Sequence, residues 1–357
     1  MPLYRDPVVQ MNDRVRETVL LRWPAMLLLA SLAVWMVVSV VAADETITLM
    51  SQNMERTALV YVPEKATGQD TRMFPLVLAF HGSTWNGSLM RDITGFNDLA
   101  EREGFIVAYP NGTGPGDVLS WNAEQCCSFA MAEGVDDIEF VETLIDELVQ
   151  RYPVDPSRVY ACGFSNGAML VHKLGLALPA RFAAIASVGG AMYGDPEPID
   201  VPLPVLIIHG TEDSVVPYDG GWGTLAELSG KTEPGKSVQF AVDFWARSNG
   251  CQSFDRKEIN RNVVVRHYGD CAGETEVFFY SLIGEEHVWP VLTRHVPDAL
   301  AGNPDTDLLS LIASPGAGSE GGQPAVSWDL FESGLDASRV MWDFFRQHVR
   351  SFEEASG

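Results

Sequence analysis

The stretch VYACGFSNGAML, residues 159–170, places Ser165 between Gly163 and Gly167 in the spacing G-x-S-x-G. A serine there suits nucleophilic attack on an acyl carbonyl, but near neutral pH its hydroxyl needs a base within hydrogen-bond reach. The base in turn needs an acid that holds its tautomer and stabilises its charge. Glycine and serine are common in turns, so the spacing gains weight from its context. The apolar run RVYACG precedes it and NGAMLVHKLGLAL follows, which is the strand, sharp turn and helix of a nucleophile elbow. Glycines at 163 and 167 remove Cβ atoms from that crowded turn and leave the Ser165 hydroxyl above the carboxyl edge of a sheet.

On such a scaffold the partners follow in the order serine, acid, histidine, on loops after later strands. PVLIIHGTEDSVVPY reads as a buried strand ending in a polar turn with Glu212 and Asp213, and EVFFYSLIGEEHVWP as a strand whose following turn bears His287. Asp213, which opens DSVVPY, is taken as the acid, with Glu212 as the solvated alternative, and His287 as the general base. His172 falls inside the helix after the elbow, His267 in a strand, His348 on the last helix and His295 in an irregular loop. His209, just before Gly210, is assigned to packing. For the oxyanion, the backbone N–H of Asn166 is one expected donor and that of Ser83, after PLVLAFHG, the other. Losing one such donor costs about 3–4 kcal/mol of transition-state stabilisation. Because both donors are main-chain groups, the Ser83 side chain is expected to matter less than that of Ser165.

These residues need a sheet to position them. Short apolar runs at 57–63, 75–82, 105–112, 158–165, 182–190 and 204–213 alternate with helical patterns. Nearly continuous apolar strands are buried on both faces, so the expected fold is α/β with a mostly parallel central sheet and helices on both faces. In VDDIEFVETLIDELVQRY, Ile138, Val141, Leu144, Ile145 and Leu148 form one stripe at helical spacing, which marks a crossover helix. VQFAVDFWARSNG and DASRVMWDFFRQHVRSF read as later helices, and NVVVRHY as a further strand. Residues 291–327, with GNPDTD and SPGAGSEGGQP, read as a long loop excursion. No repeat or linker marks a second module, so 44–357 is expected to be one catalytic domain.

Residues 25–43 carry no charge and follow Arg14, Arg16 and Arg22. This is an export segment, long enough to span a bilayer and ending in small residues. A signal peptide cleaved after Ala43 is the preferred reading and an uncleaved membrane anchor the alternative. Four arginines and three acids would leave on cleavage, taking the formal charge from −24 to −25. So acidic a chain repels phosphate backbones, which argues against nucleic acid as a partner. The five cysteines are Cys126, Cys127, Cys162, Cys251 and Cys271. In an oxidising compartment Cys251 and Cys271 form the best pair, closing a loop whose cross-link is worth about 3 kcal/mol. The absence of a CxxC pair or histidine cluster argues against zinc, and no metal or organic cofactor is expected.

The motifs LAFHGS, SWNAEQCC, VDDIEFVETLIDEL, VYACGFSNGAM, IIHGTEDSVVPY and HVWP, in that order, resemble those of the secreted α/β-hydrolases known as polyhydroxybutyrate depolymerases and feruloyl esterases. The likeness runs from about residue 46 to 290 and resumes at LDASRVMWDFF. It implies the α/β-hydrolase fold, with Ser165 as nucleophile, Asp213 as acid and His287 as base, and it implies that Trp289, Trp121 and Asn122 line the acyl pocket. The chain departs from the family in having Glu285 and Glu286 where a glycine-rich run is usual, and Ser83 where a cysteine is common. The two glutamates are read as solvated loop acids rather than as groups that tune the base. Cys126 or Cys127 is a candidate partner for Cys162, with a buried free thiol at Cys162 as the alternative. The activity implied is hydrolysis of hydroxyalkanoate oligomers or feruloyl-type esters through an acyl-enzyme. A serine peptidase on the same fold, or a binding protein that kept the fold, are the alternatives.

Overall fold

In the computed structural model, residues 44–67, 71–224, 226, 230–291 and 334–350 are described here, and they fall in one compact unit, Ala42–Gly357. The export segment 1–43, His295 and all but the first residue of the 291–327 excursion lie outside the described residues. The strands are β1 (Asp44–Ser51), β2 (Met54–Tyr61), β3 (Phe74–Phe80), β4 (Ile106–Pro110), β5 (Val154–Phe164), β6 (Ala184–Val188), β7 (Val205–Gly210), β8 (Ser253–Asn260), β9 (Val263–Gly269) and β10 (Val277–Leu282). They form a ten-stranded sheet in the order β1-β2-β4-β3-β5-β6-β7-β10-β9-β8. From β4 to β10 every neighbouring pair is parallel. Antiparallel hairpins close both flanks.

The helices are α1 (Gly87–Thr94), α2 (Phe96–Glu103), α3 (Ser128–Ala132), α4 (Asp137–Arg151), α5 (Asn166–Ala177), α6 (Val238–Ser248) and α7 (Ala337–Phe345). Alternate residues of the central strands feed two separate cores. Leu76, Leu78, Ala161 and Ile207 pack with α4, α5 and α6 on one face. Val77, Ala79, Cys162 and Ile208 pack with α1, α2 and α7 on the other. Burial on both faces explains why these strands read as unbroken apolar runs rather than alternating ones. The strand missed by pattern, β8, is exposed along its whole length, so SFDRKEIN carries no hydrophobic signal. β1 also lies outside the apolar runs, with four of its first five residues exposed.

Capping matches local sequence. Asp136 accepts from Ile138 and Glu139 N–H at the start of α4, and Asn86 from Leu89 N–H at the start of α1. Cys251 and Cys271 are bonded, as are Cys126 and Cys127, while Cys162 is buried and free. Neither adjacent cysteine is therefore a partner for Cys162. Its thiol sits on β5 among apolar side chains, and burial pushes it well above its usual range.

Among the described residues, one arginine–carboxylate ion pair is fully internal. Arg56 Nη2 of β2 donates to Asp137 Oδ1 of α4 at 2.7 Å, both side chains being shielded from water. The guanidinium also lies 3.9 Å from the Phe140 ring centroid. Asp137 Oδ2 accepts the Asn122 N–H at 2.7 Å, so the pair anchors the 120–127 loop as well. Removing the cation strands a buried carboxylate. Arg56→Met is expected to lower unfolding free energy by about 3–5 kcal/mol, read as a reduced urea midpoint with an unchanged slope. A loss within about 0.5 kcal/mol, the size usual for surface changes, would show that the pair contributes nothing.

Candidate active site

The elbow is set by backbone contact. β5 runs into Ser165, which takes φ 55° and ψ −119°, and α5 begins at Asn166. A non-glycine residue in that region is strained and persists only where its surroundings enforce it. Here a Cβ on Gly163 would lie 2.8 Å from Ala168 N, and one on Gly167 2.6 Å from the Phe80 carbonyl carbon. Both glycines are demanded by the crossing of β3, β5 and α5. The Ser165 side chain makes no capping bond to α5, and its N–H is held by the Val188 carbonyl at 2.9 Å.

The loop after β3 reaches the same point. A Cβ on Gly82 would lie 3.5 Å from the Ser165 Cβ, which brings the Ser83 main chain beside the elbow. Asn166 N–H is the first of α5, and such groups have no partner within the helix. The Asn166 side chain does something the motif did not suggest. Its Oδ1 accepts Trp121 N–H at 2.7 Å and its Nδ2 donates to Trp121 O at 3.1 Å. Trp121 Nε1 in turn donates to His81 O at 2.9 Å. The 120–127 loop thus ties the start of α5 to the loop after β3.

Asp213 and His287 meet across two turns. His287 Nδ1 and Asp213 Oδ2 are 2.7 Å apart, and both groups are buried. Asp213 Oδ1 accepts the N–H groups of Val215 and Val216 at 2.9 and 2.7 Å. Burial by itself would raise this carboxyl, but the His287 charge and the bonds from His209 and His287 hold it well below the usual range. Glu212 is exposed. The carboxylate partner requires the proton on His287 Nδ1, which leaves Nε2 as the basic nitrogen. The ring stacks on Phe164, the residue before Ser165, at 4.8 Å between centroids. It also packs against Gly189, where a Cβ would lie 3.2 Å from its Cε1. Gly210 completes the fit, because a Cβ there would lie 2.6 Å from the Glu286 carbonyl oxygen of the histidine turn.

Some expectations change. Trp121 and Trp289 have rings at 0 and 2% exposure. Trp121 packs on Phe80 and His81 in one core, and Trp289 on Phe96 and Phe164 in the other. Asn122 donates its side-chain N–H to Val135 O at 2.8 Å. Both indoles are thus buried in the cores, while Asn122 is half-buried. Of the two turn acids only Glu286 is exposed; Glu285 is buried at 5%, because its segment is drawn in over Gly210. His209 sits with Nε2 2.8 Å from Val216 O and 3.3 Å from Asp213 Oδ2. His267 pairs with Glu276 at 2.8 Å, and His348 lies 3.2 Å from the same carboxylate.

Known proteins resemble this one over the same region. The family model described as Esterase PHB depolymerase matches residues 57–201. A putative esterase NocK of Nocardia uniformis subsp. tsuyamanensis is 30% identical over 248 residues, 66% of this chain and 71% of that protein. Feruloyl esterase B of Piromyces equi is 29% identical over 239 residues, 65% of this chain but 42% of that protein. An acetyl xylan esterase from Aspergillus awamori superposes with a TM-score of 0.49 at 18% identity, over 69% of this chain and 95% of the other.

Two buried imidazoles make the site and its supports sensitive to acid. His81 Nε2 accepts Gly112 N–H at 3.0 Å while Nδ1 faces Gly82 O at 2.7 Å. Burial, helped by the Arg56 charge, lowers its pKa from 6.5 to about 4. His172 Nδ1 accepts Trp245 Nε1–H at 3.1 Å, and burial lowers its pKa to about 3. Both rings are neutral when folded and titrate near 6.5 when unfolded, so their contribution is complete above pH 6.5. It is lost as pH falls toward 4, because the unfolded chain gains protons that the native state refuses, at about 1.4 kcal/mol per pH unit per ring. His172→Gln is expected to flatten the dependence of unfolding free energy on pH between 6.5 and 4 by one such slope. Urea titrations at several pH values measure this, and parallel curves for the two proteins would refute it.

Proposed function

The chain belongs to the Esterase PHB depolymerase family, and we propose that Ser165, His287 and Asp213 carry its chemistry. It is a serine ester hydrolase on the α/β-hydrolase fold. The observation that supports this assignment most directly is the 2.7 Å bond from His287 Nδ1 to Asp213 Oδ2, on a ring stacked against the residue before Ser165.

In this reading His287 Nε2 takes the Ser165 hydroxyl proton as Oγ attacks the ester carbonyl carbon. The oxyanion accepts the N–H groups of Asn166 and Ser83, which need no reorganisation when charge develops. The imidazolium gives its proton to the departing alkoxide, and an alcohol leaves. Water, deprotonated by the same Nε2, then attacks the acyl-enzyme, releases the acid and restores the serine hydroxyl. Asp213 keeps its charge throughout.

The substrate class proposed is a hydroxyalkanoate oligomer or a feruloyl-type ester. The family description and the Piromyces relative support it. The place of action proposed is outside the cytoplasm, after export on residues 1–43, with an uncleaved anchor as the only link to a membrane. No helix among the described residues is long and apolar enough to cross a bilayer.

Ser165→Ala is expected to abolish labelling by a fluorophosphonate probe and to lower kcat on p-nitrophenyl butyrate by about 10⁴-fold or more; persistent labelling would sink the nucleophile assignment. Asp213→Asn should lower kcat by about 10⁴-fold. Glu212→Gln, at an exposed position, should leave it within about twofold. Equal losses would refute the choice of acid. A turnover comparison of methyl ferulate with hydroxybutyrate oligomers selects the substrate class, and activity on neither would overturn both.

A further inference from the structure

The carboxylate of Asp213 has more partners than a serine–histidine–acid relay requires. Oδ1 is held by two main-chain N–H groups, and Oδ2, besides His287, faces a second imidazole. His209 is the penultimate residue of β7, just before Gly210, and is buried at 1% exposure. Its Nε2 is 2.8 Å from Val216 O and 3.3 Å from Asp213 Oδ2. Both neighbours are acceptors, so the ring must carry its proton on Nε2. Its Nδ1 has no partner among the described side chains, as suits a bare ring nitrogen. Tyr218 packs edge-on against the ring at 6.0 Å between centroids.

We propose that His209 is a positioning residue for the acid, holding both the Asp213 carboxylate and the 213–216 turn in the orientation that His287 needs. This rests on the triad assigned above. The shorter bond fixes the Val216 carbonyl. The same residue's N–H is the 2.7 Å donor to Oδ1, so the imidazole locks the peptide segment that grips one oxygen while contacting the other directly. Without it, Oδ2 keeps His287 but loses the imidazole 3.3 Å away, and the Val216 carbonyl loses its bond to β7. The carboxylate can then rotate away from the line along which His287 Nδ1–H points. A displacement of about 1 Å in such an arrangement costs about 10²-fold in rate. Packing alone would explain a buried ring at a strand end, but not a ring whose single N–H is bonded to the carbonyl of the acid's turn with the Asp213 carboxylate 3.3 Å away.

The test compares three substitutions in the full chain. Glutamine can place an amide N–H where Nε2 stood, whereas asparagine reaches only to Nδ1 and phenylalanine has no donor. With p-nitrophenyl butyrate, His209→Phe is expected to lower kcat by about tenfold to a hundredfold, with KM changed by less than about twofold. His209→Asn should show the same loss, which covers the case in which the phenylalanine variant does not fold. His209→Gln should recover most of the lost kcat at an equal or lower thermal midpoint. If glutamine and asparagine lose kcat equally, or if kcat stays near wild type in His209→Asn, the positioning role is overturned. Failure of the triad itself reads out separately, as fluorophosphonate labelling that survives Ser165→Ala.

Discussion

Three backbones cross at Ser165 with no room for a side chain between them. β3 ends against α5 at Gly167, and β5 turns into α5 over Gly163. That exclusion forces the positive φ of Ser165 and directs its N–H to the end of β6. The cost of one strained residue is met by the burial of the sheet around it, since a conformation of this kind persists only when the surroundings leave no alternative. The remaining parts of the site are arranged around this crossing. The loop after β3 lies beside the serine, and the turns after β7 and β10 interlock through Gly210 and the Glu286 carbonyl.

A buried polar chain then carries the crossing outward. Arg56 on β2 holds Asp137 on α4, Asp137 holds Asn122, the neighbouring Trp121 is clamped by Asn166, and its indole holds the His81 carbonyl. The links between separate segments are hydrogen bonds between buried or partly buried groups. Arg56 is held through Nη2 alone, its Nε and Nη1 having no hydrogen-bond partner among the described residues. The network gives the 120–127 loop a single placement and joins the helix N-terminus to the loop after β3. Esterase chemistry gains from donors fixed before charge develops, because they need not reorganise when the oxyanion forms.

The acid side of the site shows the same economy. Asp213 is buried, which disfavours a charge, yet two main-chain N–H groups and two imidazoles surround it and keep it ionised. Glu212, one residue away, points to water. Position in a turn, not residue type, separates the two carboxylates.

The elbow, the order of serine, aspartate and histidine, and the parallel core could be read directly from the chain, because each has a local signature. Glycines flank the serine, apolar runs end in polar turns, and α4 carries a helical stripe. The Cys251–Cys271 pairing was legible from its loop. Other features have no local signature, because they depend on contacts between distant segments. β8 is wholly exposed and so lacks a pattern. Trp121 and Trp289, for which the family resemblance implies a place in the acyl pocket, bury their rings in the two cores. Glu285 reads as a solvated acid and is drawn inward with the turn that crosses Gly210. His209 precedes the acid by four residues, yet only the curl of the 213–216 turn brings Val216 and Asp213 back to its ring. Residue types and their order thus determined the chemistry this chain can attempt. Tertiary structure decided which side chains aim the reacting groups, because hydrogen-bond direction is set by backbone crossings that no single segment contains.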